Sequence, residues 1–133
     1  MNQILLDTSI WIEYFRYSDK YSIVSELIKE NQICINELIL AELMPYLYVK
    51  KENEIIESLK LIEKIEIRIN WEMIIQMQIK NLKNGINKVG IPDLILAQNV
   101  IDNDLILFTI DKHFIQMKGL FEYRLFDYKE KKT

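Results

Sequence analysis

Three short apolar runs, each closed by a polar residue and followed by a helical pattern, constrain this chain more than anything else in it. They are Ile4-Leu5-Leu6, Ile33-Cys34-Ile35 and Leu105-Ile-Leu-Phe-Thr109. All are too short for helices and show no polar alternation, which is how strands read when both faces of a sheet are covered. Amphipathic stretches lie between them. Trp11, Ile12 and Phe15 continue the first run as a short helix, and Ile23, Val24, Leu27 and Ile28 form a second stripe. Residues 37–50 and 52–65 read as two helices, the latter striped by Ile55, Ile56, Leu59, Ile62 and Ile65. Glu66-Ile-Arg-Ile69 alternates and reads as a further strand. Trp71, Ile74, Ile75, Ile79 and Leu82 line a helix that Gly85 ends, and Pro92 suits the first turn of another reaching Asn103. Tyr123-Arg-Leu-Phe126 reads as a last strand. Strands separated by helices require right-handed crossovers and a parallel sheet, so the class is α/β.

Length and charge bound what such a sheet can serve. At 133 residues the chain is one domain, expected over 1–128, with Lys129-Glu-Lys-Lys-Thr133 as a solvated tail. Its longest uncharged run, Leu94 to Ile101, has eight residues, whereas a membrane span needs roughly 20. The start, Met1-Asn2-Gln3, lacks the basic and apolar segments of a signal peptide, and the single Cys34 suits a reducing compartment, so the cytoplasm is expected. With one cysteine and one histidine (His113), a zinc site of Cys and His ligands is excluded. The net charge of −3 argues against broad neutralisation of nucleic-acid phosphates, so a polyanion would have to meet a local feature. The chain holds 24 Ile and only two Ala, so isoleucine is discounted as a pure strand signal.

Ligands in open parallel sheets bind beyond the carboxyl ends of the strands. Asp7 directly follows the first apolar run, and Asp111 stands two residues past Thr109. Asp93 falls in the first turn of the helix opened by Pro92. Glu42 stands alone in Leu38-Ile-Leu-Ala-Glu-Leu-Met44, with Leu38 and Ile39 as its i−4 and i−3 neighbours, and is expected on a buried face. An ionised carboxylate there needs a partner or a metal. Asp7, Asp93 and Asp111 could equally be ordinary helix caps or acids matched to a helix dipole. Four acids that converge without a cation repel one another, and a hard dication such as Mg²⁺ or Mn²⁺ resolves the repulsion.

At these residues the sequence resembles PIN-domain ribonucleases, and among them VapC-type toxins of toxin–antitoxin pairs. The segments that carry the resemblance are Leu6-Asp-Thr-Ser-Ile-Trp-Ile12, Leu40-Ala-Glu-Leu43, Gly90-Ile-Pro-Asp-Leu-Ile-Leu-Ala97 and Leu107-Phe-Thr-Ile-Asp-Lys-His-Phe114, with 35, 51 and 18 residues between successive acids. The resemblance implies a three-layer PIN-like sandwich with a parallel five-stranded sheet of order 3-2-1-4-5. It also implies that Asp7, Glu42, Asp93 and Asp111 bind Mg²⁺ or Mn²⁺ and carry catalysis. The implied chemistry is in-line attack on an RNA phosphodiester by a metal-activated water, which needs neither a 2′-OH nor the two imidazoles that this chain lacks.

By the same resemblance, a cognate VapB-type antitoxin holds the toxin inactive with a tail across the acidic groove, and the toxin forms a homodimer. Residues 43–48 and the 52–65 helix are candidate interface elements. Pro45 and Gln98-Asn99 depart from the pattern, which bears on the local backbone and groove. Thr8, Ser9 and Thr109 are near enough in sequence to hydrogen-bond the acids, though capping also explains Thr8 and Ser9. Arg16 either guides RNA or ends its helix, and Lys112 either contacts phosphate or is solvated. His113 is expected to be structural, Phe114 to be core, and Lys80, Lys83 and Lys88 to form a solvated face.

A haloacid-dehalogenase-type phosphatase would need a second aspartate at Ser9, a phosphoreceiver domain would need paired acids near Asp7, and no glycine pattern here cradles phosphate. The remaining alternative is a non-catalytic PIN-fold module that binds RNA or protein.

Overall fold

A computed structural model describes residues 3–128. The first strand, β1 (Ile4–Leu6), is buried throughout and runs straight into α1 (Thr8–Arg16) through Asp7, whose side chain caps the helix by accepting from the Ile10 amide. The same construction recurs one strand away. After α2 (Ser22–Lys29), the buried β2 (Ile33–Ile35) ends at Asn36, which caps α3 (Glu37–Val49) through the Ile39 amide. Each such cap is worth about 1 kcal/mol. Pro45 sits inside α3 and leaves it unbroken to Val49 despite the lost N–H.

The chain then runs through α4 (Asn53–Lys60) to an edge strand, β3 (Glu63–Lys64), and on to α5 (Trp71–Lys83) and α6 (Ile91–Asp102). Gly85, at φ +74°, supplies the left-handed residue just beyond α5. Strand β4 (Ile106–Phe108), α7 (Lys112–Met117) and β5 (Arg124–Leu125) complete the order. The sheet is parallel throughout, with order β3-β2-β1-β4-β5, and Leu6 is paired with Phe108 and Ile35 with Lys64. That matches the expected α/β class and strand order. Strands β1 and β2 are buried on both faces because helices cover both. The core between the layers includes Trp11, Leu5, Leu6, Phe108 and Phe114.

Two boundaries differ from the sequence reading. The helix expected over 52–65 stops at Lys60, and the third strand lies at 63–64 rather than 66–69. The reason lies in the hydrogen bonds. Ile65 still donates to Ile35, but the carbonyls of Glu66 and Arg68 accept from the Asn99 and Gln98 amides of α6, and Gln98 Oε1 accepts from the Asn70 N–H. Side chains therefore take the backbone groups that a longer strand would have used. Gln98 and Asn99, marked in the sequence as departures, are this anchor. Residues 129–133, expected as a tail, lie outside the described residues.

Buried in β2, Cys34 lies between β1 and β3, and its thiol points at the Ile4 carbonyl. Burial, reinforced by the nearby Glu63 charge, pushes the thiol up to about 12. No helix among the described residues is long and apolar enough to cross a membrane.

Candidate functional site

The parallel order of β1 and β4 brings Asp7 and Asp111 to one sheet edge, and each begins a helix there. Asp7 is buried, at 4% exposure, and is held by a clasp of two hydroxyls. Ser9 Oγ donates to Asp7 Oδ1 while accepting from the Ile110 amide. Thr109 Oγ1 donates to Asp7 Oδ2 while accepting from the Asp111 amide at 2.9 Å. The carboxylate that caps α1 is thereby tied to the loop that positions Asp111. Burial nevertheless raises its pKa, against the lowering effect of the Ser9, Thr109 and Ile10 hydrogen bonds, and the Asp111 charge adds to the rise. Thr8 opens α1 but, among the described residues, hydrogen-bonds none of the four acids.

Asp93, half-buried in the first turn of α6, faces Asp111 across the edge. Its carboxyl is raised by burial first and then by the Asp111 charge, while His113 partly offsets the rise. Asp111 itself caps α7 by accepting from the His113 amide at 2.9 Å. His113 Nδ1 lies 3.6 Å from Asp111 Oδ1 and 3.9 Å from Asp93 Oδ2. One atom each from Asp93, Asp111 and His113 falls within a mutual 4.8 Å. His113, expected to be structural, lies against two of the acids.

Glu42 also corrects an expectation. It is exposed rather than on a buried face, because α3 buries Ile39, Leu43 and Leu47 and turns position 42 outward. Its carboxyl is still raised, by partial loss of hydration first and then by the charges of Asp93 and Asp7. Glu42 therefore senses the cluster, although it and Asp7 stand outside the tight group. Among the described residues no lysine or arginine pairs with any of the four acids. The donor set, hard carboxylate oxygens with one imidazole nitrogen, fits a divalent cation of the Mg²⁺ or Mn²⁺ kind.

Beside Glu42 lies a cavity of about 410 Å³ walled by Ile12, Phe15, Leu43 and Tyr46, with Arg16 at the exposed end of α1. Arg16 both ends its helix and shares a groove with Glu42. Lys112 is exposed at the start of α7, and Phe114 is core as expected. In the expected interface segments, Leu43, Leu47, Ile56 and Leu59 are core, whereas Tyr46 and Tyr48 are exposed. The exposed stripe Trp71, Ile75, Ile79 and Leu82 on α5 had been read only as the lining of a helix.

The PIN domain family model matches residues 4–120. No curated protein matches the chain. Among solved structures, a DNA-bound VapBC from Salmonella typhimurium aligns at TM-score 0.74 and 19% identity, covering 96% of this chain and 98% of that one. VapBC2 from Rickettsia felis bound to a promoter DNA fragment aligns at TM-score 0.71 and 19% identity, over 95% and 98% of the two chains. FitAcB from Neisseria gonorrhoeae aligns at TM-score 0.68 and 20% identity, over 94% and 97%. At these identities the neighbours report the fold, and the family model reports descent: the chain belongs to the PIN domain family.

Proposed function

We propose that this protein is a Mg²⁺- or Mn²⁺-dependent endoribonuclease toxin of the VapC type, acting in the cytoplasm and neutralised by a cognate VapB-type antitoxin. The observation that carries the reading is the convergence of acids from four separate helix starts and faces with, among the described residues, no lysine or arginine paired to them. Asp7, Glu42, Asp93 and Asp111 each carry at least one electrostatic link to another member of the set. A structural salt-bridge cluster would hold a lysine or arginine in its midst. Without such a partner the acids repel one another, and a cation supplied from outside relieves the repulsion.

Asp93 and Asp111 would hold the ion, and Asp7, fixed by Ser9 and Thr109, would complete its support. Glu42, open to solvent, closes the groove side where RNA would enter. A bound dication supplies an activated water and neutralises charge on the scissile phosphate. Without it the acidic edge repels RNA, in keeping with a chain of net charge −3. Arg16 and Lys112, both exposed near the site, are the proposed phosphate guides. The antitoxin is proposed to lay a segment in the groove that joins the cavity to Glu42, and the exposed apolar surface of α3 and α5 to support a homodimer.

The test is cleavage of total cellular RNA by the full chain with Mg²⁺ or Mn²⁺, with excess chelator, and with Asp93→Asn. Cutting that needs the ion and disappears in the folded variant is expected. Equal cutting in chelator overturns the reading, and tight RNA binding without cutting under any condition favours a non-catalytic module.

A further inference from the structure

We infer that His113 is a direct ligand of the bound ion and gives the site a preference for Mn²⁺ over Mg²⁺. The inference rests on the metal reading above and extends it from the four acids to a nitrogen donor. Its basis is a spacing. His113 Nδ1 lies 3.6 Å from Asp111 Oδ1 and 3.9 Å from Asp93 Oδ2, and it hydrogen-bonds neither. In an octahedral site with ligands at about 2.1 Å, neighbouring ligand atoms sit about 3.0 Å apart and opposite ones about 4.2 Å apart. The observed separations fall between these limits, so small adjustments bring all three atoms onto one ion.

The local backbone makes this placement a consequence of the fold. Asp111 caps α7, and His113 is the second residue of that helix. Helical side chains lean toward the amino end, so a residue in the first turn is directed back toward its own cap. The His113 side chain is only 22% exposed and is held in the gap between the two carboxylates. An imidazole nitrogen suits Mn²⁺ better than Mg²⁺, which prefers oxygen and retains water.

A different role is open to a histidine in this position. As a purely structural side chain it would occupy the gap and compete with the metal. The two roles predict opposite results. Mn²⁺ and Mg²⁺ affinities of the full chain are measured by titration, with free Mn²⁺ followed by electron paramagnetic resonance and Mg²⁺ by competition. If His113 is a ligand, His113→Ala weakens Mn²⁺ binding by about tenfold or more while Mg²⁺ binding changes far less. His113→Asn, which offers an amide oxygen at a similar reach, recovers part of the affinity without the Mn²⁺ preference. Pulsed spectra of the Mn²⁺ complex show modulation from a directly bound nitrogen in the wild type and lose it in both variants, and circular dichroism checks that each variant is folded. Absence of that modulation in the wild type, or unchanged or tighter Mn²⁺ binding in His113→Ala, overturns the inference. Asp93→Asn separates the two levels of the argument. If it abolishes Mn²⁺ binding while His113→Ala does not weaken it, only the ligand role of His113 fails. If neither substitution affects Mn²⁺ binding, the metal reading fails with it.

Discussion

Asp7 and Asn36 occupy the same position in neighbouring units: each is the first residue after a buried strand and each caps the helix that follows. Their surroundings diverge. Around Asn36 every polar atom is answered. Its Oδ1 accepts from the Ile39 amide, its Nδ2 donates to Asn99, and Asn99 donates on to the Glu66 carbonyl. Around Asp7 the hydrogen bonds are also made, but a charge remains, and the groups beyond it are further acids. The neutral cluster pins one segment of chain to another, a purely structural role. The charged cluster keeps a repulsion that the fold alone does not relieve, the pattern expected of a site that takes up a ligand.

The sharpest way to break this contrast is through activity. Asp93→Asn should lower RNA cleavage by about a thousandfold or more, whereas Asn36→Ala, assayed well below its unfolding temperature, should retain most of it. Comparable losses in cleavage by both variants would erase the distinction between the two clusters. The second test is stability. Asn36→Ala removes a cap and leaves the buried Asn99 Oδ1 without its donor, so urea denaturation should report a loss of about 2–3 kcal/mol.

Asp93→Asn should move the other way. Its carboxylate accepts no hydrogen bond from a described residue and faces Asp111 across a partly solvated, screened gap, so neutralising it should raise the melting temperature of the metal-free protein by only about 2 °C. A fall in melting temperature would show that Asp93 is a structural group.

The smallest expected effect is a slope with pH. Asp7, Glu42 and Asp93 all have raised pKa values in the folded state. Between the ordinary and the raised values, the folded chain binds more protons than the unfolded one. Metal-free stability should therefore fall as pH climbs from the usual carboxylate range, about 4, toward neutrality. Saturating Mg²⁺ should flatten or reverse that slope in thermal melts. A slope unaffected by Mg²⁺ would place its origin outside the acidic cluster.

Much of this was legible in the residues. The parallel α/β class follows from unbroken apolar runs separated by helical stripes, the strand order came with the family resemblance, and Asp7 and Asp111 announce themselves by position alone. Sequence reasoning treated capping and ligand binding as rivals at those two aspartates, yet both cap their helices while the Asp111 charge bears on Asp7, so capping does not compete with the proposed ligand role. Glu42 was singled out for a burial it does not have. An apolar helix was read as buried all round, although burial depends on what the neighbouring layers cover.

The third strand was misplaced because its fate is decided by Gln98 and Asn99, some 30 residues further along the chain. No local pattern could carry that information. His113 was legible in principle, because an aspartate cap followed two residues later by a histidine directs the ring back over the cap. A single histidine on a short helix is most often structural, and the sequence alone does not show that this one lies beside two acids.

Cys34 lies in the seam between β1 and β2, the two strands that end at Asp7 and Asn36. With its thiol pushed up to about 12 and shut away from solvent, it cannot react with an alkylating reagent while the seam is closed. It is the sole thiol of the chain, so the rate of its modification is a clock that ticks only when the middle of the sheet parts. That clock should slow when a dication quiets the acidic edge and quicken when the amide lattice beside it is cut.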